Sequence, residues 1–299
     1  MLNEGWLDRR FRLKRKEVDG RPAVGQHATA AEVADLQDGS STKLMNATKG
    51  RERVLLATMT REPFQPVRIY YSTPAPPAVA RKFRGLACMV EEKARGWQWL
   101  FHAEAAALKL TGRYEDVPVE KRPIILGRVR FPKSGGMILE TNSIDRAVQG
   151  ARFFASLLGP NVVAMRCRVI NRCFAADEGA PDDLMKALDR DVTVIDPRGA
   201  EAQFAQDFKG VRSMEAAERV ASESVERRLK SGQDVPLVED FPLAPEEETP
   251  DFQHLATGLQ FRFIRAVEHW RGNTHLTLTA IIVRTVQESM RAPGGDVSL

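Results

Sequence analysis

The fold is decided by residues 124–174, IILGRVRFPKSGGMILETNSIDRAVQGARFFASLLGPNVVAMRCRVINRCF. Two β-like runs, Ile124–Phe131 and Met137–Thr141, flank Pro132-Lys133-Ser134-Gly135-Gly136, a turn with two glycines, and together predict a hairpin. Ser143 then stands as an N-cap with Asp145 in the first turn behind it. Ile144, Ala147, Val148, Ala151, Phe154, Ala155 and Leu158 recur at helical spacing, and Gly159-Pro160 ends the helix. In Val162–Phe174, Met165, Cys167 and Val169 alternate with Arg166 and Arg168, which predicts a strand with one buried and one basic face. With a helix at Asp182–Asp189 and a short strand at Val192–Ile195, the pattern is α+β: antiparallel sheet with helices packed on one face. A ferredoxin-like split βαβ unit over 124–195 is the arrangement this succession suggests.

Working outward, Val54–Thr60 and Val67–Ser72 read as strands separated by prolines that a central strand does not hold. Beyond the stiff connector Thr73-Pro74-Ala75-Pro76-Pro77, Val79, Phe83, Leu86, Ala87 and Val90 predict a helix that Gly96 ends or bends. Trp97, Trp99 and Phe101 alternate with Arg95 nearby. Aromatic and guanidinium planes of this kind can stack on bases, but core packing is the preferred reading. Ser213–Leu229 is a second amphipathic helix with Gly232 after it. Residues 233–251 hold seven carboxylates, four prolines and no Lys or Arg, and so read as an acidic linker. Behind them, apolar spacing from Phe252 to Met290 predicts an αα-hairpin that must dock on the main body or on another chain. The organisation is thus a basic, β-rich region 1–77, an α+β core 78–232, the linker 233–251 and the hairpin 252–299.

The 299 residues carry a formal net charge of +4 that conceals a polarity. Residues 1–133 hold 25 Lys/Arg against 15 Asp/Glu, and the rest hold 19 against 25. A split of this size points to an anionic partner for the basic half. Arg9, Arg10, Arg12, Lys14, Arg15 and Lys16 crowd one segment. Arg81, Lys82 and Arg84 form a second group, and Arg128, Arg130 and Lys133 a third. Lys43 and Lys49-Gly50-Arg51 lie in a polar loop with phosphate-loop residue types but without Walker glycine spacing. These residues, the third group aside, are the candidate nucleic-acid contacts, since phosphate backbones bind cationic surfaces by counterion release. No apolar stretch approaches the roughly 18–20 residues needed to span a bilayer. Three cysteines make no disulfide scaffold and fit a reducing cytoplasm.

One string has a catalytic look. His102-Ala103-Glu104 resembles the motif of the zinc-dependent nucleotide deaminases, and the resemblance implies zinc ligation by His102 and proton shuttling by Glu104. That chemistry needs two neighbouring thiolates. Cys167 and Cys173, placed on one strand at about 3.3 Å per residue, would stand roughly 20 Å apart. The leading expectation is therefore a non-catalytic cytoplasmic protein with no cofactor or metal, binding DNA or RNA through its basic half, with 252–290 available for a protein partner or self-association. A deaminase-like enzyme is the alternative, and a purely structural oligomer subunit is the second.

Overall fold

In the computed structural model, which describes residues 53–92, 96–243 and 252–291, the expected α+β architecture is present. Two compact units divide the chain: Val54–Arg284, and residues 1–53 with 285–299. The first holds the whole sheet. In chain order its elements are β1 (Val67–Ser72), α1 (Pro76–Arg84), β2 (Met89–Glu92), β3 (Gly96–Leu100), β4 (Ile125–Arg130), β5 (Met137–Thr141), α2 (Ile144–Leu158), β6 (Val163–Ile170), α3 (Pro181–Met185), β7 (Val192–Val194), α4 (Pro197–Asp207), α5 (Met214–Ser231), β8 (Val238–Pro242) and α6 (Phe252–Trp270). A last helix, α7, spans Leu278–Arg291.

The strands form one eight-stranded sheet in the order β2-β3-β4-β5-β1-β6-β8-β7, antiparallel except for the parallel pair β7–β8. Because β5 and β6 each pair antiparallel with β1, they run parallel to one another, and α2 crosses between them. The strand in the middle of that βαβ comes from upstream of residue 124. No self-contained ferredoxin-like unit is therefore found in 124–195.

The helix α2 forms as its sequence dictates. The Ser143 hydroxyl accepts from the Arg146 N–H at 3.2 Å, and Gly159, at φ +80°, closes the other end. Its apolar face, Ala147, Ala151, Phe154 and Leu158, lies on β1 and β5 and meets Leu255 and Leu259 of α6. Period-two alternation supplies the facing wall: Val67, Ile69 and Tyr71 of β1, Met137 and Leu139 of β5, Val129 of β4, and Cys167 and Val169 of β6. Trp97 and Trp99 belong to this core, as does Phe101, and Trp99 packs against Phe153 and Phe154 at ring separations of 5.5 and 5.3 Å. Full burial of each such side chain is worth about 1.5–3 kcal/mol.

Three local expectations are corrected. Gly85, not Gly96, ends α1, and residues 89–92 turn back as β2 to pair with β3. Val54–Thr60 makes only isolated bridges, at Leu55 and Ala57. The acidic stretch 233–251 is not simply a linker, because Val238–Pro242 forms β8 inside the sheet. Burial of Glu239 and Asp240 is possible because arginines meet them: Arg262 of α6 grips Glu239 at 2.6 and 2.7 Å, and Arg168 reaches Asp240 at 2.8 Å. Asp234 likewise holds Arg265, at 2.5 Å, and accepts from the Leu278 N–H. The first of the two C-terminal helices is thereby docked on α2 and on the end strands.

Among the described residues no helix is long and apolar enough to cross a membrane.

Candidate nucleic-acid interface

The face of the sheet turned away from α2 carries the polar partners of the same alternation. In β1 (VRIYYS), Val67, Ile69 and Tyr71 go to the core, so Arg68 and Tyr70 go to the other side. The strand registers then align these outward residues into two rungs that cross the sheet. The first runs Gln98, Arg128, Glu140, Arg68, Arg168, Asp240, one residue from each of β3, β4, β5, β1, β6 and β8. The second runs Arg130, Ile138, Tyr70, Arg166 and Pro242. Five arginines thus share one surface.

Four carboxylates answer them. Glu140 lies 2.7 Å from Arg68 and also holds Arg130. Asp240, fully buried, pairs with Arg166 at 3.2 Å and Arg168 at 2.8 Å. From the turn after α3, Asp189 makes a fork with Arg68, at 2.5 and 3.2 Å, and reaches Arg168 at 3.1 Å. Asp182 of α3 stands 3.6 Å from Arg128. The hydrogen bond from Arg68 holds the Asp189 carboxyl below its ordinary range, against a smaller opposing effect of burial. Burial works against the charge of Arg68, but Asp189, Tyr70 and Glu140 outweigh it and raise its pKa.

In the second rung the Arg166 guanidinium lies over the Tyr70 ring, 4.2 Å from its centroid, with that of Arg168 at 5.4 Å. A register shift between Tyr70 and Tyr71 makes Met165 an extra residue in β6 and leaves it exposed. Beside this bulge an open groove of about 530 Å³ is lined by Tyr70, Ser72, Thr73, Arg166 and the Ser134-Gly135-Gly136 turn. Gly136 is required there: at φ +80° a Cβ would sit 2.6 Å from the Tyr71 carbonyl oxygen. The groove combines hydroxyls, turn backbone, a guanidinium and an aromatic face, the group types that hold a nucleotide's phosphate and base.

The residues singled out from sequence fare differently. Arg9, Arg10, Arg12, Lys14, Arg15, Lys16, Lys43, Lys49 and Arg51 lie outside the described residues. Arg81, Lys82 and Arg84 fall on α1, on the helix-covered side, where Lys82 caps the carbonyls of Leu157 and Leu158 at 3.2 and 3.4 Å and Arg84 pairs with Glu91 at 3.4 Å. Arg128 and Arg130 do join Arg166 and Arg168. Arg68, Tyr70, Glu140 and Asp189 went unrecognised as a group, although the alternation of VRIYYS carried the signal for the first two.

His102 begins a single 3₁₀ turn, Ala103–Ala107, and its Nδ1 accepts from the Ala103 N–H at 2.7 Å. Both oxygens of Glu104 accept from backbone, the N–H groups of Ala87 and Cys88, at 3.2 and 3.0 Å. The backbone N–H of Glu104 itself, and after it these two bonds, lower the Glu104 pKa. Burial pushes the thiols of Cys88 and Cys173 up to about 12, and that of Cys167 up as well. Among the described residues no group of three or more His, Cys, Asp or Glu side chains is placed to hold a metal ion.

The chain matches no protein-family model, no curated protein and no solved structure.

Proposed function

We propose that this protein is a non-catalytic, cytoplasmic binding subunit that holds single-stranded nucleic acid across the face of its sheet turned away from α2. The observation that carries the reading is the second rung, where Arg166 lies on Tyr70 beside the groove of Ser72, Thr73 and the Ser134–Gly136 turn. An arginine held over a tyrosine ring is preorganised to meet a base while its remaining N–H groups meet phosphate. In the first rung, Arg168 and the nearly buried Arg68 stand next to this pair on β6 and β1. The basic segment Arg9–Lys16 adds charge from the same half of the chain, and the three free cysteines suit a reducing compartment.

The test is fluorescence anisotropy with labelled dT20 and rU20 at 50 and 200 mM salt. Binding is expected at the lower salt and weakens steeply at the higher. The double variant Tyr70→Ala/Arg166→Ala should lose about tenfold or more, the worth of one stacked base at roughly 1–3 kcal/mol. Replacing Arg10, Arg12, Lys14 and Arg15 with Ala should lower the salt slope. No binding of either oligomer at 50 mM salt would sink the reading.

A further inference from the structure

Asp189 sits in a place that calls for an explanation. Like charges directly opposite one another on adjacent strands repel, yet Arg68 and Arg168 are register partners on β1 and β6. The repulsion is relieved by an anion lying between them, and here that anion is the Asp189 carboxylate, forked onto Arg68 and bonded to Arg168. A carboxylate and a phosphate offer a guanidinium the same two-oxygen edge.

Glu140 and Asp240 differ from Asp189 in kind. They belong to the rungs themselves, with side chains 14% and 0% exposed, and neither can leave without dismantling the sheet face. Asp189 arrives from outside, on the short segment Pro181–Asp189. Leu188 of that segment is fully buried against Phe64, Ile170, Phe174 and Val238, with Leu184 and Met185 packed beside it. The backbone is therefore pinned while the carboxylates face water: the Asp189 side chain is 58% exposed and that of Asp182, beside Arg128, 81%. Asp182 can rotate aside at the cost of one solvated ion pair, whereas Asp189 gives up its bonds to both Arg68 and Arg168, which keep Glu140 and Asp240 as partners.

We infer that the position held by the Asp189 carboxylate is a phosphate subsite built by Arg68 and Arg168, and that the 181–189 segment keeps the sheet face self-blocked until a nucleic-acid phosphodiester displaces it. The inference rests on the nucleic-acid reading above. It assigns Asp189 a role as competitor, with Asp182 a weaker second at Arg128.

The experiment compares the full-length chain with Asp189→Asn, an isosteric change, in dT20 titrations at 50 and 200 mM salt, with inorganic phosphate titrated in parallel at constant ionic strength. Asp189→Asn should bind dT20 about fivefold to tenfold more tightly, with a salt slope steeper by about 0.7, the value of one added phosphate contact to a single strand. Should the variant melt early, Asp182→Asn carries the same test with an expected gain of about twofold. Unchanged or weaker binding by a folded variant, while the wild type still binds, overturns the subsite and leaves the nucleic-acid reading standing. Absence of dT20 binding by both proteins overturns the two together. A gain for inorganic phosphate without one for dT20 also overturns it, because the ligand would then be a free anion rather than a polymer.

Discussion

On the helix-covered side of the sheet Arg146 meets one carboxylate, Glu62, at 3.3 Å, and both are sealed from water, at 1% and 0% exposure. On the other side Arg68 and Arg168 stand abreast and share Asp189, more than half exposed. The first arrangement is closed. Arg146 also donates to the Ile125 carbonyl at 3.0 Å, to Asn142 at 2.9 Å and to the Thr60 hydroxyl at 2.8 Å, while Glu62 accepts from Thr60, Thr58 and the Thr111 N–H. Hydrogen bonds of this density fix a structure. The second arrangement holds five guanidiniums on four carboxylates, two of which are mounted on a separate segment. Charge used to build a core is matched and enclosed, whereas on the second face the carboxylates that cover the arginines, Asp189 and Asp182, are themselves open to water.

The sharpest way to break this comparison is to remove Arg146. Arg146→Met keeps the bulk of the side chain and strands Glu62 without a counter-charge in the interior. A loss of about 3–5 kcal/mol is expected, read from urea midpoints. Adding Glu62→Gln should recover a substantial part, since the uncompensated charge and not the missing methylenes causes most of the damage. A loss below about 1 kcal/mol would mean that water reaches the pair and that the two faces do not differ as described.

A smaller effect is expected from Asp145, in the first turn of α2. Burial, with Glu62 nearby, pushes its carboxyl up to about 6, and Arg146 offsets only part of this. In the unfolded chain the group titrates near 3.8. For an acid whose folded pKa is raised, the associated stability is fully present below pH 3.8 and is lost as pH rises through 6. Asp145→Asn removes the penalty, so the variant should be more stable than wild type by about 1–2 kcal/mol at pH 8 and no more stable at pH 4. The gain is held below the full linkage value because a carboxylate at a helix N-terminus is itself favourable by about 0.3–1 kcal/mol. A gain of equal size at both pH values would assign it to packing instead of ionisation.

Legibility in the sequence followed range. Ser143, Gly159 and the Gly135-Gly136 turn declare themselves because caps and turns are local, and the basic face of β6 could be read from Met165 to Val169 alone. The rungs could not. Arg68 and Glu140 are 72 residues apart, and Arg68 and Asp189 are 121 apart. Nothing in either neighbourhood sets the register that joins them. Asp189 shows in the sequence only as the end of an expected helix, because its partners stand on strands 121 and 21 residues earlier in the chain. The acidic stretch misled for a related cause. Glu239 and Asp240 look like linker composition until Arg262, Arg166 and Arg168 are brought to them, and burial of a charge depends on a partner that local composition cannot show. The helix that overran Gly85 failed through a real ambiguity, since Leu86, Ala87 and Val90 continue a helical spacing by coincidence while β3 claims 89–92 as its partner strand.

The least disruptive substitution is Arg130→Ala, at the rim of the wet face. Arg130 shares Glu140 with Arg68, and its side chain is 44% exposed. An ion pair this accessible is worth little, because water and salt screen it and an unrestrained arginine regains side-chain entropy. Thermal or urea denaturation should register a change of no more than about 0.5 kcal/mol, and 0.5 M salt should reduce even that. Binding of dT20 should nevertheless weaken by about twofold to threefold, since one positive charge leaves the phosphate-facing surface. That dissociation of stability from binding is what separates a surface held in reserve for a partner from one consumed by the fold. A cost above about 1.5 kcal/mol, comparable with removing a buried group, would place Arg130 among the structural charges and shrink the interface to Tyr70, Arg166 and the groove beside them.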